Sequence, residues 1–211
     1  MSIVKLNNNG VKNATAFGSI TGLGNLILIK KQTVSSGVSS VSFVDGASSV
    51  VLDNTYKEYI FYINNMHPAS NGNLTFNLSA DGGSNYNVTK TSTVFGAYHR
   101  EDGADTTLAY GGGSDLAQST AYQNMCFGGD IGSGDADRCF SGYLHLFDPS
   151  STTFVKHFIG VNNFMDTSST PYTVNSYIAG LGNTTSAVNA IDFKMSTGNI
   201  DAVTISLYGV A

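Results

Sequence analysis

The sequence predicts an all-β fold: an antiparallel two-sheet sandwich, jelly-roll-like, with one short helix. Residues 25–211 form this single domain, and residues 1–24 read as an extended N-terminal arm. Three observations predict it. Short apolar runs alternate with period two, which places every second side chain on one face of a strand. Turn residues recur between the runs at close spacing. The composition combines 24 Gly with 11 Tyr and 12 Phe, enough apolar area for a core in a chain of 211 residues.

The stretch from Val38 to Tyr86 is the best-organised part. Val41 and Phe43 alternate with serines. Tyr59, Phe61 and Ile63 alternate with Ile60 and Tyr62, and Leu74, Phe76 and Leu78 alternate with polar residues. Asp45-Gly46, Asn71-Gly72 and Asp81-Gly82-Gly83 separate these runs and tolerate the positive φ of tight turns. Upstream, Gly18, Gly22 and Gly24 punctuate the polar arm, and Asn25–Lys31 is expected to be a fully covered first strand closed by two lysines. Downstream, Asn87–Lys90, Thr93–His99 and Leu108–Tyr110 read as strands, with Arg100–Thr106 an exposed turn. Ser114–Gln123 is the helix candidate, with Ser114 as its cap and Asp115 in the first turn. Asn124–Gly128 returns as a strand. Gly142–Asp148 and Thr153–Val161 read as a hairpin around Asp148-Pro149-Ser150. Tyr172–Leu181, Ala190–Met195 and Ala202–Tyr208 complete ten to twelve strands. Gly198-Asn199 marks the last turn.

Charge narrows the function classes. Only 12% of residues are charged and the net charge is −5, so there is no basic footprint for nucleic acid and no polybasic membrane anchor. A low charge suits surfaces that close on other proteins, because interface cores are depleted in charge. It also suits β-rich sequences that prefer Thr and Ser, and composition alone does not separate the two readings. The first residues show no apolar h-region, so synthesis in a cytoplasm is expected. Five Asn-x-Ser/Thr triplets then carry no message beyond composition. Cys126 and Cys139 flank a glycine-rich loop; in a reducing compartment two free thiols are expected over a bridge.

Chemistry-bearing groups are few. His145 and His157 read as strand histidines at the edge of a core, and His67, before Pro68, as a structural loop residue. Nothing in sequence pairs His145 with a cysteine or serine in a nucleophile motif, and His99 is the fourth histidine. Asp130, Asp135 and Asp137 sit in a Gly-rich loop that could offer oxygen ligands to a cation, but the spacing fits no EF-hand and a solvated loop is the expectation. Gly111–Gly113 lacks the Lys-Ser/Thr of a phosphate loop. A spatial carboxylate pair for glycoside hydrolysis stays open, with Glu58 and Glu101 the only glutamates. No catalytic, cofactor-binding or metal-ligating set is therefore assigned. Tyr98, Tyr110, Tyr122, Tyr143, Tyr172 and Tyr177 lie near predicted turns, where aromatics stack on sugars, anchor interfaces or fill cores.

The motifs SSVSFVDG, VVLDNTYKEYIFYINNMHPA and FNLSADGGSNYNVT resemble virion structural proteins of tailed bacteriophages, especially those of aquatic bacteria. The family pattern falls here at Ser42–Gly46, Leu52–Tyr59, His67–Ala69 and Asp81–Asn87. AYHREDGAD, DLAQSTAYQ, LHLFDPSSTTFVKHF, NTTSAVNAIDFKMSTGNIDA and SLYGV look like the same family, so the resemblance runs from about Asn25 onward. It carries no catalytic residue. It implies a non-enzymatic protein of the virion exterior, a capsid decoration or a tail- or fibre-associated subunit. It further implies a homo-oligomer, expected as a trimer, contacting other virion proteins, with residues 1–24 as a tether. The second expectation is a receptor-binding, lectin-like module in which Tyr98, Tyr110 and Tyr172 line a groove for a bacterial surface glycan. The third is a fibre-borne depolymerase.

Overall fold

A computed structural model describes residues 25–211; the expected arm, residues 1–24, lies outside the described residues. Twelve strands follow in chain order: β1 (Leu26–Val34), β2 (Val41–Val44), β3 (Glu58–Pro68), β4 (Leu74–Ser79), β5 (Lys90–Arg100) and β6 (Thr106–Tyr110). The second half adds β7 (Gln123–Asn124), β8 (Phe140–Phe147), β9 (Lys156–Met165), β10 (Tyr172–Gly182), β11 (Ala190–Met195) and β12 (Ile200–Val210). They form two antiparallel sheets, an eight-stranded one ordered β1-β12-β3-β8-β9-β10-β5-β6 and a four-stranded one ordered β2-β11-β4-β7. The predicted all-β sandwich is the observed architecture.

The period-two pattern builds the core. Tyr59, Phe61 and Ile63 of β3 point inward and are fully buried, as are Leu144 and Leu146 of β8 and Phe158 and Phe164 of β9. Phe43, Phe76 and Phe193 answer from the smaller sheet. Phe61 meets Phe43 edge-on with ring centroids 5.4 Å apart, and Phe193 lies 5.5 Å from Phe61 and 6.4 Å from Phe76. Offset and edge contacts of this kind add to area burial.

The outer side of the small sheet is closed by loops. Thr75, Asn77 and Ser79 alternate with the core residues of β4, yet every residue of that strand is buried. The Asn77 amide donates to the carbonyls of Tyr86 and Thr120, and its oxygen accepts from the Lys90 ammonium. Lys90 is fully buried and also donates to the Val88 carbonyl at 2.8 Å. Burial pushes this ammonium down to about 8. The folded chain therefore releases the Lys90 proton before the unfolded chain does, whose lysine titrates near ~10.5. Between these pH values the unfolded state binds more protons, so stability rises with pH; the penalty is full below the folded pKa and gone above the unfolded one. Comparison with Lys90→Met isolates this group. From pH 7 to 10.5 wild type is expected to gain at most about 3 kcal/mol on the variant in unfolding free energy. A difference that stays flat or reverses would show that Lys90 is not held in this environment.

Six local expectations are corrected. Two expected strands do not form as drawn: Asn87–Lys90 is loop up to Lys90, where β5 begins, and Asn124–Gly128 is strand only at Asn124. Among the described residues there is no helix: Ser114–Gln123 forms turns against the start of β5. Lys90 and Ser119 exchange backbone hydrogen bonds, the Ser92 amide donates to the Leu116 carbonyl, and the Leu116 amide to the Ser92 hydroxyl. Gln118 adopts φ 47°, outside helical space, and Ser114 donates its hydroxyl to the Cys126 carbonyl instead of capping. Tertiary partners thus replace the marginal helical bonds. The first strand is an uncovered edge, with Leu26 and Leu28 exposed. His67 lies at the end of β3, not in a loop. The Gly198-Asn199 turn joins β11 to β12 across the two sheets, so these strands do not pair with each other.

Candidate functional site

Two surfaces stand out, and β5 and β10 contribute to both. The first is the outward face of the large sheet. In β9, His157, Ile159, Val161 and Asn163 point away from the core while Phe158, Asn162 and Phe164 are buried. The register aligns outward residues into rows. Tyr62, Tyr143, Val161, Tyr177, Phe95 and Tyr110 form one unbroken cross-strand row over six strands. Ile60, His145, Ile159, Ala179 and Thr93 form the next. Phe95 and Tyr177 stack in parallel at 4.9 Å and are 44% and 41% exposed. Leu108, beside them on β6, is 75% exposed. Glu58 is the one carboxylate at the outward positions of these six strands, and it pairs with His145 Nδ1. Beside the stacked rings the surface sinks into an open hollow of about 540 Å³, floored by β10 at Ala179 and Gly180 and walled by Thr91–Thr93 and His157–Ile159. Small residues at the floor make the hollow; large rings two residues away make the bump.

The second surface is a pocket of about 240 Å³ at the end of the sandwich, lined by Tyr98, Tyr172, Phe127, Gly128, Gly129, Asp166 and Val174. Pairing of β5 with β10 brings Tyr98 and Tyr172 together edge to face at 4.9 Å. Phe127 is held over β5 and β10 by its amide, which donates to the Ser176 hydroxyl at 2.9 Å. Asp166 accepts from the amides of Ser168 and Tyr172 and from the Ser168 hydroxyl, so its carboxylate closes the β9–β10 turn. The Tyr172 hydroxyl donates to Asp105. An aromatic corner beside glycine backbone can seat a small polar ring, with apolar stacking on one side and amides on the other.

The other tyrosines separate. Tyr110 lies on the outward sheet face, donating to Asp115 at 2.6 Å, and so does not join Tyr98 and Tyr172 in one groove. Tyr143 and Tyr177 are mid-strand residues of that same face, away from turns. Tyr122 donates to Asp192 and lies beneath the Lys194 ammonium, 3.9 Å from its ring centroid; burial and the Asp192 charge push its phenol up.

His67, Asp135, Asp201 and Cys139 line one open cavity of about 560 Å³. There His67 Nδ1 stands 3.6 Å from Asp201, and Nε2 lies 3.3 Å from the Asp135 carbonyl. Asp130 and Asp137 do not join that lining, and among the described residues no three His, Cys, Asp or Glu side chains converge on a cation position. Cys126 is buried, which pushes its thiol up, and Cys139 is half-buried; both are free. His157 is exposed on the sheet face and lines the hollow. The sheet face escaped the sequence reading although its signal is present: Tyr59–Ile63 is apolar at every position, not only at alternate ones.

Comparison with known proteins finds no matching family model, no similar curated protein and no similar solved structure.

Proposed function

We propose that this chain is a non-enzymatic structural protein of a phage virion, displayed on the particle exterior as a capsid decoration or a tail-associated subunit. The observation that carries the reading is the outward face of the large sheet, where apolar and aromatic side chains run over six strands around a single paired carboxylate. Interface cores show the same depletion of charge and enrichment in Tyr and Phe, and an exposed apolar patch of this extent marks an interaction site. The motif resemblance supports the virion as its setting. The chain assembles as a homo-oligomer and contacts other capsid or tail proteins; neither a nucleic acid nor a membrane is a partner. The trimer is supported by the resemblance alone. Density for this chain in a map of the whole particle is the decisive experiment. A position on the capsid lattice or the tail is the expected result, and absence of the chain from purified particles would overturn it.

A second reading has its own observation. Tyr98 and Tyr172 share one pocket with the Gly128-Gly129 backbone, which suits a receptor-binding module that takes a bacterial surface glycan. Retention on a glycan array that Tyr172→Ala abolishes, with folding unchanged, would establish this function; no retention of the wild type would remove it.

A further inference from the structure

We propose that the outward face of the eight-stranded sheet is the surface on which a second copy of this chain docks, face to face about a two-fold axis. The inference rests on the reading that the chain assembles with itself and names the surface and symmetry it uses.

Size comes first. Six strands at ~4.8 Å spacing and four outward rows two residues apart give a patch of roughly 25 Å by 25 Å. Its projected area is roughly 600 Å² and its accessible area larger, near the ~800 Å² that each partner contributes to a stable interface. Charge comes second. The chain carries 15 acids and a net charge of −5. Glu58 is the one acid at the outward positions of these strands, already paired with His145, while Asp102, Asp105, Asp115 and Asp135 occupy loops. Apposing two such faces brings no unpaired like charges together; the loop acid nearest the face, Asp115, is already bonded to the Tyr110 hydroxyl. A basic partner would find no acidic counterpart here, and an acidic one no Lys or Arg.

Shape decides the occupant. The stacked Phe95–Tyr177 pair is a bump, and the hollow over Ala179 and Gly180 lies on the same strands two residues further along. An axis running across the strands between these two rows reverses the direction of the second copy. It lays the rings of each copy over the hollow of the other. Bump and hollow are then matched twice by one operation, as an isologous contact requires. Identical copies also share one hand of sheet twist, which is the condition for aligned sheet packing. The edge-strand residues Leu108 and Tyr110, both on the bump side, extend the contact over β6.

Light scattering coupled to size exclusion tests this on the full chain. Wild type is expected at twice the 22.2 kDa chain mass. Tyr177→Lys and, separately, Ala179→Arg should each raise the dissociation constant at least about 30-fold, as loss of an interface anchor does. Both positions point to solvent in the single chain, and a circular dichroism melt confirms that each variant folds. Because face-packed sheets stand ~10 Å apart, beyond disulfide reach, the covalent test uses a bismaleimide of roughly that span or slightly longer in a Cys139→Ser background. Tyr177→Cys should give a cross-linked dimer, whereas Ser84→Cys, on an exposed loop beyond the smaller sheet, should not. A wild type that is oligomeric but indifferent to both substitutions, or that forms trimers, overturns the face-to-face pairing and leaves the homo-oligomer reading standing. A monodisperse wild-type monomer overturns both.

Discussion

Phe193→Ala is expected to cost about 4 kcal/mol, which is near the upper end for a single aromatic truncation. The side chain is fully buried on β11, the central strand that pairs with both β2 and β4. Its ring contacts Phe43, Phe61 and Phe76, so the deletion empties the middle of the aromatic cluster in which the two sheets meet. Those neighbours lie on paired strands and cannot collapse into the void, so the cavity persists and adds to the lost transfer energy. Against a typical stability of 5 to about 15 kcal/mol this is a large fraction. Urea unfolding should show a lower midpoint at an unchanged slope. Phe193→Leu keeps most of the volume and should cost less than half as much. Equal losses for the two variants would mean that the ring cluster is not the core's centre.

Gly96→Ala is expected to destabilise by about 3 kcal/mol, an overpacking penalty from a single methyl group. A Cβ at this position would stand 2.6 Å from the Asn175 carbonyl oxygen and 2.6 Å from the Phe127 ring. The carbonyl belongs to β10, fixed in register against β5, and cannot retreat. The ring is the softer neighbour, but it is anchored through its amide to Ser176 and also packs on Gly111. Relief must therefore come partly from moving Phe127, which lines the Tyr98–Tyr172 pocket. A double-mutant cycle reads this coupling. Gly96→Ala should cost less in a Phe127→Ala background than in the wild type, by about 1 kcal/mol or more. Strict additivity would show that the backbone clash alone sets the cost.

The fold was legible because alternation reports which face of a strand is buried. Phe76 and Phe193 were assignable from their spacing alone. Covering elements are a different matter. Thr75 and Asn77 look solvent-facing in sequence, yet Asn77 is bonded by Lys90 and Thr120 returning from later in the chain and Thr75 donates to the Lys194 carbonyl of β11. The same long-range pairing defeated the helix expectation at Ser114–Gln123, where local cap signals were real but β5 offered better partners. The pocket was half legible. Tyr98 and Tyr172 were named for their chemistry, yet their meeting depends on β5–β10 pairing across more than seventy residues. Tyr110 carries the same side chain two strand positions beyond Leu108 and faces the other way from the pocket. The outward sheet face was readable only in part, since an apolar residue at every position of a strand states that both faces avoid water without stating what covers the second.

The pairing of β1 with β12 has a mechanical consequence. Leu26 is opposite Val210, and the Ala211 amide donates to the Asn25 carbonyl, so both ends of the described domain leave from one corner of the sheet. β1 is an edge strand, held to its neighbour by a ladder of hydrogen bonds along its length. Tension applied between residues 25 and 211 loads those bonds one after another and peels the strand like a zip. Tension between residue 25 and a contact on the far edge, near β6, passes through the ladders of the sheet in series, and the β1 ladder, loaded from one end, is again the first to open. A subunit loaded through residue 25 is therefore limited in either case by the β1–β12 ladder and not by its aromatic core.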